Sequence, residues 1–498
     1  MSYDFIVVGS GPAGQKGAIA ASKLGKRVAL VERQRSSLGG VCLHTGTIPS
    51  KTMREAILHL TGFRHRDVYG DQFRRKRHIT MESLRRKLDQ VTCCEREIID
   101  EHLDRNGVDV ISGVASFVDD HTITVKADSR QTQLTGDYFL LAPGTKPTRP
   151  AHIPFDGRQV FDSDEILKLD KIPRSMIVVG GGVIGIEYAI MFATLGVQVT
   201  VVDGRERLLD FCDREIIDTL LHHARSLEMM FRLGEEVTQI RRSSSGTVVV
   251  ELESQKRLVA DTVLFSVGRI GDTDSLNLEA AGLSINSRGR LETNEHLQTV
   301  VPHVYAVGDV IGFPSLASTS MQQGRRAASH AFGHPLAPCD AIPYGLFTIP
   351  EISMIGHTEE QLTADRVPYE VGHAHFNETA RGHIIGDHNG LLKLLFHRRT
   401  RKLLGVHIIG ESATELLHIG QAVLSFGGTI DYFCDTIFNF PTLAECYKVA
   451  AFDGRNRLCL DDDTLMSNDS IDLSTNVEAT LAQLDHTTRR DEAVCLSP

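Results

Sequence analysis

The chain has no run of about 18 apolar residues, no C-x-x-C pair and no hydrophobic leader ahead of its first patterned segment. The first absence argues against a membrane-spanning helix. The second removes zinc-ribbon spacing. Nine cysteines are scattered over 498 residues and the only close pair is the adjacent Cys93–Cys94, which points to a reducing cytosol and not to a secreted disulfide framework. As for a leader, Tyr3 to Val8 already reads as a strand and leaves no room for a cleavable signal. A soluble, cytoplasmic protein without a membrane partner is expected. Excess charge is also scarce along most of the length. The formal net charge is −11, but residues 460–498 hold nine Asp/Glu against two Arg, so about −4 is left for everything before them. That tail, rich in Ser, Thr, Asn and Asp, is expected to be disordered or loosely helical. The basic stretches Arg74-Arg75-Lys76-Arg77 and Arg85-Arg86-Lys87 lack interleaved aromatics. A solvated loop and helix face explains them better than a nucleic-acid partner.

What is present begins with one module written twice. Phe5-Ile6-Val7-Val8 is an apolar run short enough for a buried parallel strand. It leads into Gly9-Ser10-Gly11-Pro12-Ala13-Gly14, a small-residue helix around 18–24, and a second strand, Val28-Ala29-Leu30-Val31, that ends in Glu32. The pattern returns with Ile177-Val178-Val179, Gly180-Gly181-Gly182-Val183-Ile184-Gly185 and Val199-Thr200-Val201-Val202 ending in Asp203. In each copy the first glycine (Gly9, Gly180) suits a tight turn and the second (Gly11, Gly182) lets the backbone approach a pyrophosphate. The third (Gly14, Gly185) permits close helix–strand packing, while the phosphates sit at a helix N-terminus and the terminal acid accepts from a ribose. A lone glycine motif is weak, but strand, turn, helix, strand and acid in order, twice, imply two bound dinucleotides. Asp203 favours the free 2′-hydroxyl of NAD(H), whereas Arg205 and Arg207 could pair with the 2′-phosphate of NADP(H) or simply be solvated.

The stretch Gly39-Gly40-Val41-Cys42-Leu43-His44-Thr45-Gly46-Thr47-Ile48-Pro49-Ser50-Lys51 resembles the redox-active segment of the flavoprotein disulfide reductases, with Thr47 where that family carries its second cysteine. A hydroxyl can neither close a disulfide with Cys42 nor form a thiolate charge-transfer pair with flavin. The other half of such a site normally reads His-Pro-Thr-x-x-Glu. Here the sequence is Phe440-Pro441-Thr442-Leu443-Ala444-Glu445, and Phe440 cannot pass a proton. The segments around Gly144 (Leu140 to Thr145), Gly268 (Phe265 to Arg269) and Gly308-Asp309 (Thr293 to Asp309) are similar to the family's remaining landmarks. The likeness runs from residue 3 to about 459.

It implies an α/β architecture of two Rossmann-like dinucleotide-binding domains plus a C-terminal α+β dimerisation domain. The expected divisions are 1–147 and 276–342 for FAD, 148–275 for the nicotinamide nucleotide, 343–460 for the interface, and 461–498 for the acidic tail. It also implies one non-covalent FAD per chain, held by the first module with Gly40, Gly144, Gly308 and Asp309, the last on the ribityl chain. Lys51, paired with Glu187, would lie near flavin N5, and a helix around 316–328 would aim its N-terminus at the N1/O2 edge. Gly268 belongs with the second module.

Losing a sulfur and a base together points to a changed reaction, with hydride passing between NADPH and NAD⁺ through FAD in a ping-pong scheme at one nicotinamide site. One branch of the family does this and resembles the chain in Cys42 with Thr47, in Pro314-Ser315-Leu316-Ala317-Ser318, and in an aromatic at the former histidine. The alternatives are an NAD(P)H diaphorase or quinone reductase, a dihydrolipoamide dehydrogenase-like protein with a degenerate disulfide site, and a non-enzymatic FAD scaffold. A homodimer or higher homo-oligomer is implied. No metal is expected: His373 and His375 alternate as on a sheet face, and Cys446, Cys459 and Cys495 read as buried or incidental.

Overall fold

The structure, a computed structural model, describes residues 1–63, 79–127, 130–244, 246–337 and 341–465, with side chains described through 458. The Arg74-Arg75-Lys76-Arg77 stretch and residues 466–498 of the acidic tail lie outside the described residues.

Strand Ser2–Val8 pairs in parallel with Val28–Glu32 on one side and Arg130–Leu141 on the other. Asp109–Ser112 and Val304–Ala306 extend the parallel run at its two edges. Phe5, Ile6 and Val7 are fully buried, as a strand covered on both faces requires, and this is why the segment is continuously apolar and not alternating. Strands Val114–Asp119 and Thr122–Ala127 fold antiparallel onto the N-terminal half of the long strand 130–141. Helices Pro12–Lys23 and Ala317–Ala331 pack against each other so closely that a Cβ on Gly324 would strike the Ala13 carbonyl. Both helices differ from the expected limits. The first begins at Pro12, whose fixed φ and missing N–H suit the first helical position.

The second module repeats the architecture. Ser175–Val179 lies between Gln198–Asp203 and Thr262–Phe265, with Met230–Leu233 and Val160–Asp162 at the edges, all parallel. The strand order matches the first sheet, except that the fifth strand precedes its module in sequence instead of following it. Helix Val183–Thr194 is buried over most of its length. A three-stranded antiparallel sheet, Val237–Arg242, Val248–Leu252 and Arg257–Ala260, completes the unit. The chain enters and leaves it through Thr145–Pro147 and Arg269–Gly271, which pair antiparallel. Arg269 locks this ribbon by donating to Thr145 Oγ1 at 2.9 Å, the Thr145 carbonyl at 2.8 Å and Asp164 at 2.6 Å.

The third unit is a five-stranded antiparallel sheet ordered Tyr344–Leu346, Glu351–Gly356, Leu403–Gly410, Leu391–His397, Tyr369–His375. Helices Ala413–Ser425 and Glu445–Leu465 accompany it, the second running past the tail boundary expected at 460. Lys393 sits mid-strand, 1% exposed, and ties this unit to the second module through Asp213 (3.0 Å), Glu215 (3.0 Å) and its own unit's Glu359 (2.5 Å). Among the described residues no helix is long and apolar enough to cross a membrane.

Candidate functional site

The C-terminal ends of the two parallel sheets face one continuous cleft of about 1670 Å³. The site residues expected from the sequence line it, apart from Arg207 and the two glycines Gly14 and Gly185. Those two lie behind the lining, where a Cβ would collide with the carbonyl of Gly9 and of Gly180 respectively. Their part is to seat each helix on its turn, not to touch a ligand. Gly9 and Gly180 adopt φ of +101° and +99°, a left-handed region that residues with a Cβ rarely enter. In front of Gly11 and Gly182, by contrast, a Cβ would meet nothing within 4 Å. Bare backbone therefore faces open cleft at the N-termini of Pro12–Lys23 and Val183–Thr194, the geometry that receives a diphosphate. Both modules show it, so the residues present fit two dinucleotides.

Between the two cradles lies the Lys51–Glu187 pair. Lys51 stands on helix Thr47–Thr61 and its Nζ is 2.5 Å from Glu187 Oε2, with side chains 24% and 6% exposed. Glu187 Oε1 accepts the Phe347 N–H at 2.8 Å, and the ammonium also lies 4.9 Å from the centre of the Phe347 ring. Phe347 escapes sequence reasoning because its contribution to Glu187 is a backbone amide 160 residues away.

Cys42 lies on the short helix Gly40–His44 beside Thr47. Burial pushes its thiol up from the ordinary value, against the pull of the Thr47 hydroxyl, and Lys51 does not reverse this. A neutral thiol with no sulfur partner has no dithiol chemistry to offer. Phe440, in the other half of the resemblance, is 72% exposed. Cys446 is buried, with its thiol raised to about 12 by burial. The side chains of Cys459 and Cys495 lie outside the described residues.

The two acids that end the second strand of each module differ in their partners. Glu32 Oε2 accepts from Ser10 N (3.0 Å) and Ser10 Oγ (2.6 Å), and Oε1 from Arg33 N (2.8 Å). Ser10 Oγ in turn accepts the Gly39 N–H at 3.1 Å, which links the glycine turn to the Cys42 segment. A hydroxyl next to an acid-facing turn was the available signal for Ser10. Asp203 Oδ2 accepts from Gly181 N (2.6 Å) and Arg205 Nη2 (2.9 Å), and Oδ1 from Arg205 N (2.8 Å) and Nε (3.0 Å). Burial alone would raise the Asp203 carboxyl, but the Arg205 and Gly181 donors outweigh it and hold it below the usual range. Arg205 thus rests on the acid, and Arg207 is not part of the cleft lining.

Asp309, on the turn after strand Val304–Ala306, has its carboxyl raised by burial despite the nearby Arg269 and Arg290. Ser315 to Ser318, at the start of helix Ala317–Ala331, also line the cleft. Tyr188, 3% exposed, follows Glu187 on its helix and lines the cleft with a buried hydroxyl that has no protein partner. Outside the cleft, Asp120, His121 and His303 bring ligand atoms within 4.8 Å of one another. The two rings stack in parallel at 3.9 Å, so their lone pairs run side by side and do not converge on an ion. His373 is engaged with Glu215 at 2.9 Å and Arg457 at 3.2 Å.

Two doubly wound modules opening into one cleft, with a sheet-and-helix interface unit alongside, define a pyridine nucleotide-disulphide oxidoreductase. The chain belongs to that family: residues 3–324 match the pyridine nucleotide-disulphide oxidoreductase family and 342–451 its dimerisation domain. Among curated proteins, it is 53% identical over 459 residues to a soluble pyridine nucleotide transhydrogenase of Mycobacterium bovis, covering 92% of this chain and 98% of the relative. It is 46% identical to a protein of the same name from Chromohalobacter salexigens, over 92% of this chain and 99% of the other. Among solved structures, LpdA from Mycobacterium tuberculosis superposes with a TM-score of 0.84 at 25% identity, covering 90% of this chain and 99% of that one. The HOCl-induced flavoprotein disulfide reductase RclA from Escherichia coli gives 0.81 at 27%, also over 90% and 99%.

Proposed function

We propose that the protein is an FAD-dependent pyridine nucleotide transhydrogenase, carrying hydride between NADPH and NAD⁺ without a redox-active disulfide. The observation that carries this is the single cleft in which both diphosphate cradles meet the Lys51–Glu187 pair, while the segment that would hold a disulfide offers one neutral thiol and a threonine. FAD, when bound, supplies a two-electron hydride acceptor and donor. The first module holds it through the Gly11 backbone, Glu32 and Asp309. The second holds NAD(H) or NADP(H) through Gly182 and the Asp203–Arg205 pair. Lys51, fixed by Glu187, presents a positive charge where electron density arrives, which lowers the barrier electrostatically. The complete exchange, NADPH + NAD⁺ → NADP⁺ + NADH, releases and consumes no proton. A base at position 440 has nothing to do, whereas disulfide reduction needs one.

The named relatives and the family match support the reading. Phe426, Ile437 and Phe440, 91%, 92% and 72% exposed on the interface unit, support a homodimer. The six described cysteines, all free, fit the cytoplasm. The test is a stopped-flow titration. NADPH should bleach the bound flavin and NAD⁺ should restore its colour. Restoration by a quinone but not by NAD⁺ would make the protein a diaphorase, and no bleaching at all would sink both readings.

A further inference from the structure

The chain carries its own control for the second ribose site, because Glu32 and Asp203 stand at the same place in two copies of one module. Glu32 keeps an acceptor position open: the Ser10 N–H, the Ser10 hydroxyl and the Arg33 N–H are its three donors, and the Arg33 guanidinium goes instead to Asp272 at 2.8 Å. Asp203 is different. A carboxylate has about four acceptor positions, and four protein N–H groups, three of them from Arg205, already occupy them. A ribose diol of NAD(H) can therefore reach Asp203 only after the guanidinium leaves. A 2′-phosphate meets the reverse situation. The Arg205 side chain is 47% exposed and lines the cleft, while Asp203 beneath it is 7% exposed. The phosphate can share the guanidinium without uncovering the acid.

Resting on the transhydrogenase reading, we propose that Arg205 is a two-position gate over Asp203 and lets one ribose subsite serve both nucleotides. With NADP(H) it bridges the 2′-phosphate and the acid, which cancels the repulsion the acid would otherwise exert. With NAD(H) it swings out and Asp203 accepts the 2′-hydroxyl, with the Gly181 and Arg205 backbone N–H groups still in place. The swing is cheap because an ion pair with one half-exposed partner is weak, equivalent to at most about a fivefold factor in affinity. A gate of this kind makes NAD(H) binding weaker than it would be at an open acid. A fixed phosphate-binding arginine has no such consequence.

The experiment uses the FAD-loaded protein and measures binding of NAD⁺, NADP⁺, 5′-AMP and adenosine 2′,5′-bisphosphate by calorimetry. Arg205→Ala should weaken the two phosphorylated probes about 10- to 100-fold, the loss of one charge-assisted contact, and should tighten NAD⁺ and 5′-AMP about two- to fivefold. Arg205→Lys should retain part of the affinity for the phosphorylated probes, and Asp203→Asn should weaken NAD⁺ while leaving NADP⁺ at least as tight. Equal losses for all four probes, or a loss of NAD⁺ affinity in Arg205→Ala, would overturn the gate. The mononucleotides read the ribose subsite without any hydride transfer. Failure of the functional reading would instead show as a wild-type flavin that NADPH does not bleach.

Discussion

Replacing Lys51 with methionine is the most informative perturbation of the reaction centre. Glu187 keeps a 6%-exposed carboxylate with two strong donors, Lys51 Nζ at 2.5 Å and the Phe347 N–H at 2.8 Å. Removing the ammonium leaves one donor on a buried charge. Breaking a fully buried pair costs about 3–5 kcal/mol, but Lys51 is 24% exposed, so solvent reduces the expected loss to about 2 kcal/mol. Denaturant unfolding should show that loss in Lys51→Met, and Lys51→Met/Glu187→Leu should recover most of it, since no lone charge remains. The flavin supplies a second readout. With the ammonium beside the ring, as proposed, its loss destabilises the reduced form, and one charge-assisted contact of about 2 kcal/mol corresponds to about 40 mV for a two-electron couple. The midpoint potential of the single variant should fall by roughly that amount. An unchanged potential, or a double variant no more stable than the single one, would refute the assignment of Lys51 to the flavin and of Glu187 to Lys51.

Three other outcomes follow from the same geometry. The Asp309 carboxyl is raised by burial, so in the folded protein it takes up a proton more readily than in the unfolded chain, and the apoprotein loses stability as pH rises through that range. Asp309→Asn should therefore make the apoprotein more heat-stable at neutral pH while lowering its flavin content, and a variant that keeps its full complement of flavin would contradict the ribityl role. The natural chain should not reduce lipoamide or glutathione disulfide, and Thr47→Cys should remain poor because Phe440 is no base; brisk lipoamide reduction by the natural chain in a spectrophotometric assay would defeat the proposed reaction. Lys393→Met leaves Asp213 buried without a cation and should cost about 3–5 kcal/mol, measured by urea unfolding, whereas a loss below about 1 kcal/mol would show that the three carboxylates find other partners.

The repeated glycine spacing announced both nucleotide modules because it reflects backbone constraints that hold wherever the motif folds: a left-handed turn, an open face, a seat for a helix. Side-chain direction is not encoded that way. Arg205 two residues after Asp203 could point to a phosphate or fold back, and only the local turn decides that it folds back. Phe347 reaches Glu187 through a main-chain amide, a contact to which residue type contributes nothing. Tyr188 gives no signal, because a tyrosine in an apolar helix reads as core, and its unpartnered hydroxyl exists only once the cleft has formed. Lys393 did carry a signal, a lysine within Leu391-Leu392-Lys393-Leu394-Leu395, but two of its three partners, Asp213 and Glu215, come from another unit. The order of strands in the second sheet, where Val160–Asp162 joins at the far edge, depends on pairing across a hundred residues and left no local trace.

The ribbon of Thr145–Pro147 against Arg269–Gly271 has an architectural consequence. Because the chain departs and returns through neighbouring antiparallel strands, the second module is a cassette spliced into the first, with its two ends side by side. The strands flanking the splice, Arg130–Leu141 and Val304–Ala306, are themselves hydrogen-bonded neighbours, so the host sheet stays continuous across the insertion. Joining the two arms of the ribbon by a short turn would excise the cassette without asking any host strand to move. The chain path alone would let one cassette be exchanged for another, provided the replacement keeps Glu187 for Lys51 and the apolar face that packs with Ile57 and Leu84.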